Sequence, residues 1–470
     1  NNVLSAKAYT KENTNGRMDA AGNAALTYKW NQEMFDAKTY STAATTGYEI
    51  TNQFDHADLS IYDGFGVDFT YLSRNDWMGT YPSAIMQLTV NDRVAKDLSY
   101  PLYDAANYET VEMPTMGAKN GLTLYDMMGL AYDDPQWDLL LDQITFEEME
   151  KQIGDAFHWT MPIESIQAMG SRDENGPQGL TASLMKGQVI DAIGFTSEDV
   201  MAATFNREIM SEVGRCIGED CLAAGVASLY GSGNNIHRTP FAGRNFEYYS
   251  EDGYLSGEIS AVEIAGIEKF GVDVLMKHFA LNDCEENRLG LGTWANEQSI
   301  REIYLKAFQA PVEDYDANGV MSAYARFGTI WSGGNYNLLT NVLRNEWGCT
   351  GRIITDNCVP AYMNFVDCVM SGGTFMDAMM TKTADGYEND PVIVNAMRDA
   401  VHTNLYCIVN SNAMNGVGPD TTVVMHDPYP ITYAKTITIV FAILFVGCTA
   451  MYVTKKNKYV KANGKKKDIV

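Results

Sequence analysis

"GVDVLMKHFALNDCEENR", residues 271–288, is where the sequence commits to a fold. An apolar run of strand length ends by setting Lys277 and His278 side by side, and a cluster of acids follows. Side chains on a strand alternate between its two faces, so adjacent polar groups share one pocket only where the strand ends. The same texture recurs along the chain. "GVASLYG" (225–231), "GVMSAYAR" (319–326) and "GRIITDN" (351–357) read as strands, and helical patterns separate them.

A long helix is expected over roughly Ser197 to Ala223, with Glu198 and Asp199 in its first turn, where the helix dipole favours acids. "YLSGEISAVEIAGIEKFG" places Leu255, Ile259, Val262 and Ala265 on one face and should stop at Gly271. A further helix is expected near 297–315. "NYNLLTNVLRNEWG" turns Leu338, Leu339, Val342 and Leu343 inward. Upstream, "QITFEEMEKQIG" carries a capping box, Thr145 with Glu148, ahead of an amphipathic helix. Repeated β–α units imply a parallel sheet. With no Gly-rich dinucleotide turn, the pattern predicts an α/β fold of the (β/α)8 TIM-barrel type rather than a doubly wound sheet.

The predicted layout is an irregular N-terminal extension over 1–123, following an upstream domain not in this sequence, and a barrel over 124–411. A spacer over 412–430, a transmembrane helix over 431–454 and a basic cytoplasmic tail over 455–470 complete it. Residues 436–454, "TITIVFAILFVGCTAMYVT", carry no charge. As a helix they span about 28 Å, close to the hydrocarbon thickness of a bilayer. Seven lysines against one acid follow, which leaves about −32 of the net −26 on the rest of the chain. By the positive-inside rule the tail is expected in the cytoplasm and the barrel outside the cell membrane. "NNVLSAKAYT" shows neither an initiating Met nor a signal sequence, so the true N-terminus is expected further upstream.

The net charge of −26 argues against a nucleic-acid partner and leaves a neutral substrate such as a sugar unhindered. Eight scattered cysteines show neither a CxxC pair nor zinc spacing, so no disulfide framework, metal or cofactor is expected.

Active sites of such barrels lie at the C-terminal ends of the strands. Reading those ends in order yields Arg244 and Glu247, then Lys277 and His278, then Tyr324, then Asp356. His237 reads as structural. At this point the chain resembles glycoside hydrolase family 3, the β-glucosidase family. "NGPQG" (175–179), "GRNFEYYSED" (243–252), "KHF…ENR" (277–288), "REIYLKAF" (301–308) and "LLTNVLRNEWG…GRIITD" (338–356) carry the resemblance, in the family's order. "FTYLSRNDWMGTYP" (69–82) is similar to members with reversed domain order, in which a sandwich and a fibronectin-like domain come first.

The resemblance implies that Asp356 is the nucleophile of a retaining exo-β-glycosidase acting on terminal sugars of β-linked glucosides or oligosaccharides. Arg244 and Lys277 would keep it ionised. Arg244, Lys277, His278 and Asn175 would bind sugar hydroxyls, Tyr324 would sit beside the nucleophile, and Glu247 and Arg288 would brace the pocket. Asn175 stands where the family pattern has Asp, and Asn357 replaces an aromatic. The family's acid lies on the sandwich domain, which would then be a partner supplied from outside this sequence; Glu285 and Glu286 are weak local substitutes. A barrel that binds sugar without catalysis, and a Schiff-base lyase using Lys277, are the competing expectations.

Overall fold

The computed structural model describes residues 42–62, 76–84, 90–98, 101–181, 192–359, 361–379, 383–424 and 429–464. The chain's first ten residues, the first part of "FTYLSRNDWMGTYP" and the last three lysines of the tail lie outside these. Two units are compact, Asn1–Val423 and Val424–Val470.

Among the described residues the first unit holds ten short strands: β1 (Trp159–Thr160), β2 (Ser171–Asn175), β3 (Val226–Tyr230), β4 (Asp273–Val274), β5 (Met276–Phe279), β6 (Gly292–Thr293), β7 (Gly319–Ser322), β8 (Arg326–Phe327), β9 (Ile330–Trp331) and β10 (Arg352–Thr355). β2, β3 and β4 pair in parallel, as do β5, β7 and β10, and only Leu275 separates β4 from β5. The ring continues through Phe375, bridged in parallel to Ile354. It closes when Ala156 N donates to Met376 O at 3.3 Å and Phe157 N to Ala378 O at 3.1 Å. Among the described residues the barrel-like ring therefore has seven extended segments rather than eight. β1 runs antiparallel to β2, unlike the all-parallel expectation. The hairpin over residues 159–172 explains that reversal: no crossover helix stands between these strands, and only a crossover returns a strand in parallel.

Helices cover the ring. Arg207–Ala224, Gly253–Glu268 and Lys306–Tyr315 pack on the β3–β7 side, and Phe365–Met370 and Pro391–Val409 on the other. The expected long helix is broken in two, Glu198–Ala202 and Arg207–Ala224. Phe205 turns to φ +50° and Asn206 caps the second helix, its Oδ1 accepting from Glu208 N and Ile209 N at 3.0 Å. Gly253–Glu268 is buried well beyond the expected stripe, because Ser256, Gly257, Ser260 and Gly266 let other helices close on it. A Cβ at Gly214 would lie 2.1 Å from Glu263 O, and one at Gly266 would lie 2.7 Å from Ser211 O, so this crossing needs glycine on both sides. The capping box at Thr145 and Glu148 is present, and Gly271 adopts φ +69° three residues past the helix end. Leu338, Leu339, Val342 and Leu343 are fully buried, although their helix, Asn337–Glu346, winds with wider π spacing.

Residues expected to form a loose extension are tied into the barrel. Phe54 and Ala57 are fully buried in its core. The Glu297 carboxylate accepts from the backbone N–H of Phe54 at 2.7 Å and of Gln53 at 3.1 Å.

The second unit contains one helix, Tyr429–Asn463. Its stretch Tyr433–Asn463, with a mean hydropathy of 2.2 over its most apolar window, is long and apolar enough to cross a membrane.

Candidate active site

The eight residues predicted for the site converge at the C-terminal ends of β2, β3, β5, β7 and β10. The puzzle of adjacent Lys277 and His278 resolves in the strand register. Lys277 pairs with Met321 but Phe279 pairs with Ser322, so β5 advances two residues while β7 advances one. A bulge of this kind breaks the alternation of faces, and such bulges commonly re-aim side chains at sites. Both side chains are thereby buried in one cluster.

Arg244 is its centre. Its Nε donates to Glu247 Oε1 at 3.1 Å and its Nη2 to Glu247 Oε2, a two-pronged pair that fixes the guanidinium plane. Its Nη1 lies 2.8 Å from His278 Nε2. Arginine only donates, so this contact requires a lone pair on Nε2 and therefore places the imidazole proton on Nδ1. That proton faces Tyr248 Oη at 3.3 Å, and Asn282 Nδ2 donates to the same oxygen at 3.1 Å. Burial, then Arg244, Lys277 and Arg288, hold His278 well below the usual imidazole range, in keeping with a neutral ring. His278 presents no free nitrogen to a ligand in this arrangement, whereas the sequence suggested a direct sugar contact.

Asp356 follows β10, its backbone N–H donating to Ser322 O at 3.0 Å. Oδ1 accepts from Asn357 N at 2.8 Å. Oδ2 is buried and accepts no hydrogen bond among the described residues. His278 Nε2, at 3.7 Å, is an acceptor and cannot bond to it. A carboxylate oxygen stripped of partners is a better nucleophile than a solvated one. Burial pushes the Asp356 carboxyl above the usual range, and Asn357 N–H, Arg288, Arg244 and Lys277 only partly oppose it. Arg244 and Lys277 act in the direction expected of them, favouring the ionised form, and burial acts against it.

Lys277 Nζ has two long contacts, Asn175 Oδ1 at 3.4 Å and Glu247 Oε2 at 3.9 Å. Burial pushes it down to about 8, and Glu247 pulls the other way. Arg288 pairs with Glu285 at 3.0 Å and lies over the Tyr324 ring at 4.9 Å. Tyr324 is buried, and burial and the Asp356 charge push its hydroxyl up. Glu285 is bound to Arg288 and accepts from Asn282 Nδ2 at 2.6 Å. His237 faces away, its Nε2 bonded to Asn245 O and Tyr248 O.

Sequence reasoning missed Tyr248, Asn282 and Asp377. The first two lie inside the motifs at 243–252 and 277–288, whose polar residues were available as candidates. Asp377 was not, because its segment reaches the site only by joining the ring after Phe375. Its carboxyl accepts from His158 N at 3.1 Å, and burial pushes it up to about 8. A cavity of about 80 Å³ at the opposite end of the strands, lined by Glu268, Asp273, Asn318 and Tyr406, has the volume of a few waters.

Residues 165–370 match the family model described as the glycosyl hydrolase family 3 N terminal domain. The match covers less than half of the chain. Its strand-end residues Arg244, Lys277, His278 and Asp356 all fall within that match. The chain is 36% identical over 224 residues to the thermostable beta-glucosidase B of Acetivibrio thermocellus, covering 46% of this chain and 30% of that protein. It is 35% identical over 210 residues to the exo-alpha-(1->6)-L-arabinopyranosidase of Bifidobacterium breve, covering 43% and 28%. The chain thus spans less than a third of the length of these curated relatives. In structure it is similar to beta-glucosidase 3B from Thermotoga neapolitana in complex with alpha-D-glucose, with a TM-score of 0.53 at 28% identity over 60% of this chain and 43% of that one.

Proposed function

We propose that the chain is the barrel part of a retaining, exo-acting β-glycosidase with Asp356 as its nucleophile. The unpartnered Oδ2 of Asp356, set among Arg244, Lys277 and Arg288, carries this reading. In the first step Oδ2 attacks the anomeric carbon, the glycosidic C–O bond breaks, and the leaving oxygen takes a proton. In the second, water attacks the same carbon, releases Asp356 and returns a proton, so configuration is retained.

The proton donor is assigned to a domain outside this sequence. Among the described residues, three carboxylates of the strand-end cluster are already engaged: Glu247 and Glu285 by arginines, Asp377 by its burial against His158 N. Glu286 is exposed on the loop. The Tyr433–Asn463 helix is assigned to a single membrane crossing, with the barrel outside the cell and the lysines inside, on the strength of the charge asymmetry. The residue 124–411 boundary for the barrel stays part of the proposal.

The test is trapping. An activated 2-deoxy-2-fluoro-β-glucoside should add one fluoroglycosyl mass to the chain, located on Asp356 by peptide mapping. Measurable sugar binding with no adduct would favour the competing reading, a binding barrel without catalysis, which the engaged carboxylates make the second choice. A Schiff-base role for Lys277 predicts borohydride trapping of a carbonyl substrate instead.

A further inference from the structure

The helix Tyr429–Asn463 does not stop where its uncharged stretch does. Residues 436–454 carry no charge, and the same helix runs on through 455–463, about 13 Å further. Lys455, Lys456, Lys458 and Lys461 stand on that extension, and all four are exposed. No acid lies on the extension to neutralise them; the nearest along the chain is Asp468. At the other end of the uncharged stretch, residues 421–435 carry one lysine, Lys435, and one acid, Asp427. The excess charge is therefore held at one end of the helix, and its arrangement there shows what can balance it.

The headgroup layer adds about 5–8 Å to each side of a bilayer's hydrocarbon. With residues 436–454 in the hydrocarbon, 455–458 rise through about 6 Å, so three of the lysines stand inside that layer. Lys461 lies within a screening length of it, about 8 Å at physiological salt. At about 100° per residue, Lys456, Lys461 and Lys458 stand roughly 100°, 240° and 300° round the helix from Lys455. The charge thus surrounds the helix, with no bare sector wider than about 140°. An acidic protein docks on one side and would leave most of these lysines unmatched, whereas lipid headgroups approach from every side. The exposed Tyr459 among them is the kind of amphipathic ring favoured at that interface. Residue type sets the selectivity. Lysine is a point charge on a flexible stem and lacks the fork by which arginine reads one oxyanion geometry. We infer that the helical extension Lys455–Lys461 is a binding site for anionic phospholipid headgroups of the leaflet it leaves through, selective for net negative charge and indifferent to the rest of the headgroup. The inference rests on the single membrane crossing proposed above and is independent of the glycosidase reading.

The test uses the full chain reconstituted into vesicles of phosphatidylcholine with a minor share of phosphatidylglycerol. Polymer nanodiscs then cut the protein out with its lipid shell, whose composition is read by mass spectrometry. The shell is expected to be at least about twofold richer in phosphatidylglycerol than the vesicle, and phosphatidylserine in its place should be enriched equally. Molar salt during equilibration should remove most of the excess, because the screening length falls to about 3 Å. Lys455→Gln, Lys456→Gln, Lys458→Gln and Lys461→Gln combined should at least about halve it, and the same four changes to Arg should keep it. A shell at the vesicle's ratio, or an excess that molar salt leaves intact, overturns the site. A preference for one of the two anionic lipids overturns its selectivity. Alkaline carbonate separates the inference from its footing. Protein stripped from the vesicles by carbonate removes the crossing and the site with it, whereas resistant protein with an unenriched shell removes the site alone. Capture of poly-L-glutamate with an unenriched shell would give the extension to an acidic protein instead. If the Gln variant does not reconstitute, the salt response and the Arg variant decide.

Discussion

The barrel holds two arginine clusters built from similar parts, one inside the ring and one at its mouth. Inside, Arg352 is fully buried and donates to Thr160 Oγ1 at 3.0 Å, to Ser228 Oγ and to Asp273 Oδ2, linking β10 to β1, β3 and β4. At the mouth, Arg244 is equally committed, but among the described residues Asp356 Oδ2 has no hydrogen-bond partner and Lys277 Nζ has only long contacts. The interior cluster spends its charges on joining strands. The mouth leaves polar capacity unmet, which costs folding energy and is what a site keeps for its ligand.

The comparison breaks most directly at Asp356. Asp356→Asn should lower turnover of an activated aryl glycoside by at least about a thousandfold. It should also raise the melting temperature. Burial raises this carboxyl's pKa, so at neutral pH the ionised form destabilises the fold, and an amide carries no such charge. Lost activity with a lower melting temperature would show that the mouth is a structural cluster too.

Arg352→Met should do the opposite. It leaves Asp273 buried and unpaired and should cost about 3–5 kcal/mol in urea unfolding, while the double change Arg352→Met with Asp273→Leu recovers much of it. A single-variant cost below about 1 kcal/mol would remove the distinction between the two clusters.

A smaller effect sharpens the role of Lys277. Its pKa is depressed to about 8, so the charged form is present below that pH and is lost as pH rises through it. KM should therefore climb above pH about 8 with kcat less affected. Lys277→Arg, which stays protonated, should remove that alkaline limb.

The smallest effect is expected at Arg288. The guanidinium opposes the burial term on Asp356, so Arg288→Met should move the acid limb of kcat/KM to higher pH. Activity should drop a few-fold on that limb and be unchanged well above it. An acid limb that does not move would place Arg288 in the Glu285 and Tyr324 packing alone.

How much of this was legible depends on the range of the interaction. The capping box, the buried Leu338–Leu343 face and the strands β3, β4–β5, β7 and β10 come from local periodicity and were readable, whereas β2, Ser171–Asn175, was not. The break at Phe205 and Asn206 is also local, but the helical pattern runs through it. The ring closure through Phe375 was not readable, because the segment "TFMDAM" carries no strand pattern and gains its register only from Ile354 and Ala156. Among site residues, strand-end position pointed to Arg244, Lys277, His278 and Asp356. Nothing in one dimension told which nitrogen of His278 carries the proton, or that Asp377 lies beside the strand that ends at Asp356.

The sequence by itself determined the alternation of strands and helices, the motifs that resemble family 3, the charge asymmetry about one long apolar helix, and which residue types stand at the strand ends. Those are properties of neighbours along the chain, where spacing and composition act directly. Only the tertiary structure decided how those residues share protons and charge. The β5 bulge that turns Lys277 and His278 to one side, the neutral His278, and the unpaired oxygen of Asp356 each depend on groups from strands far apart in the chain. Hydrogen bonds are directional and short, so a pattern of letters names the partners without saying which of them go unmet.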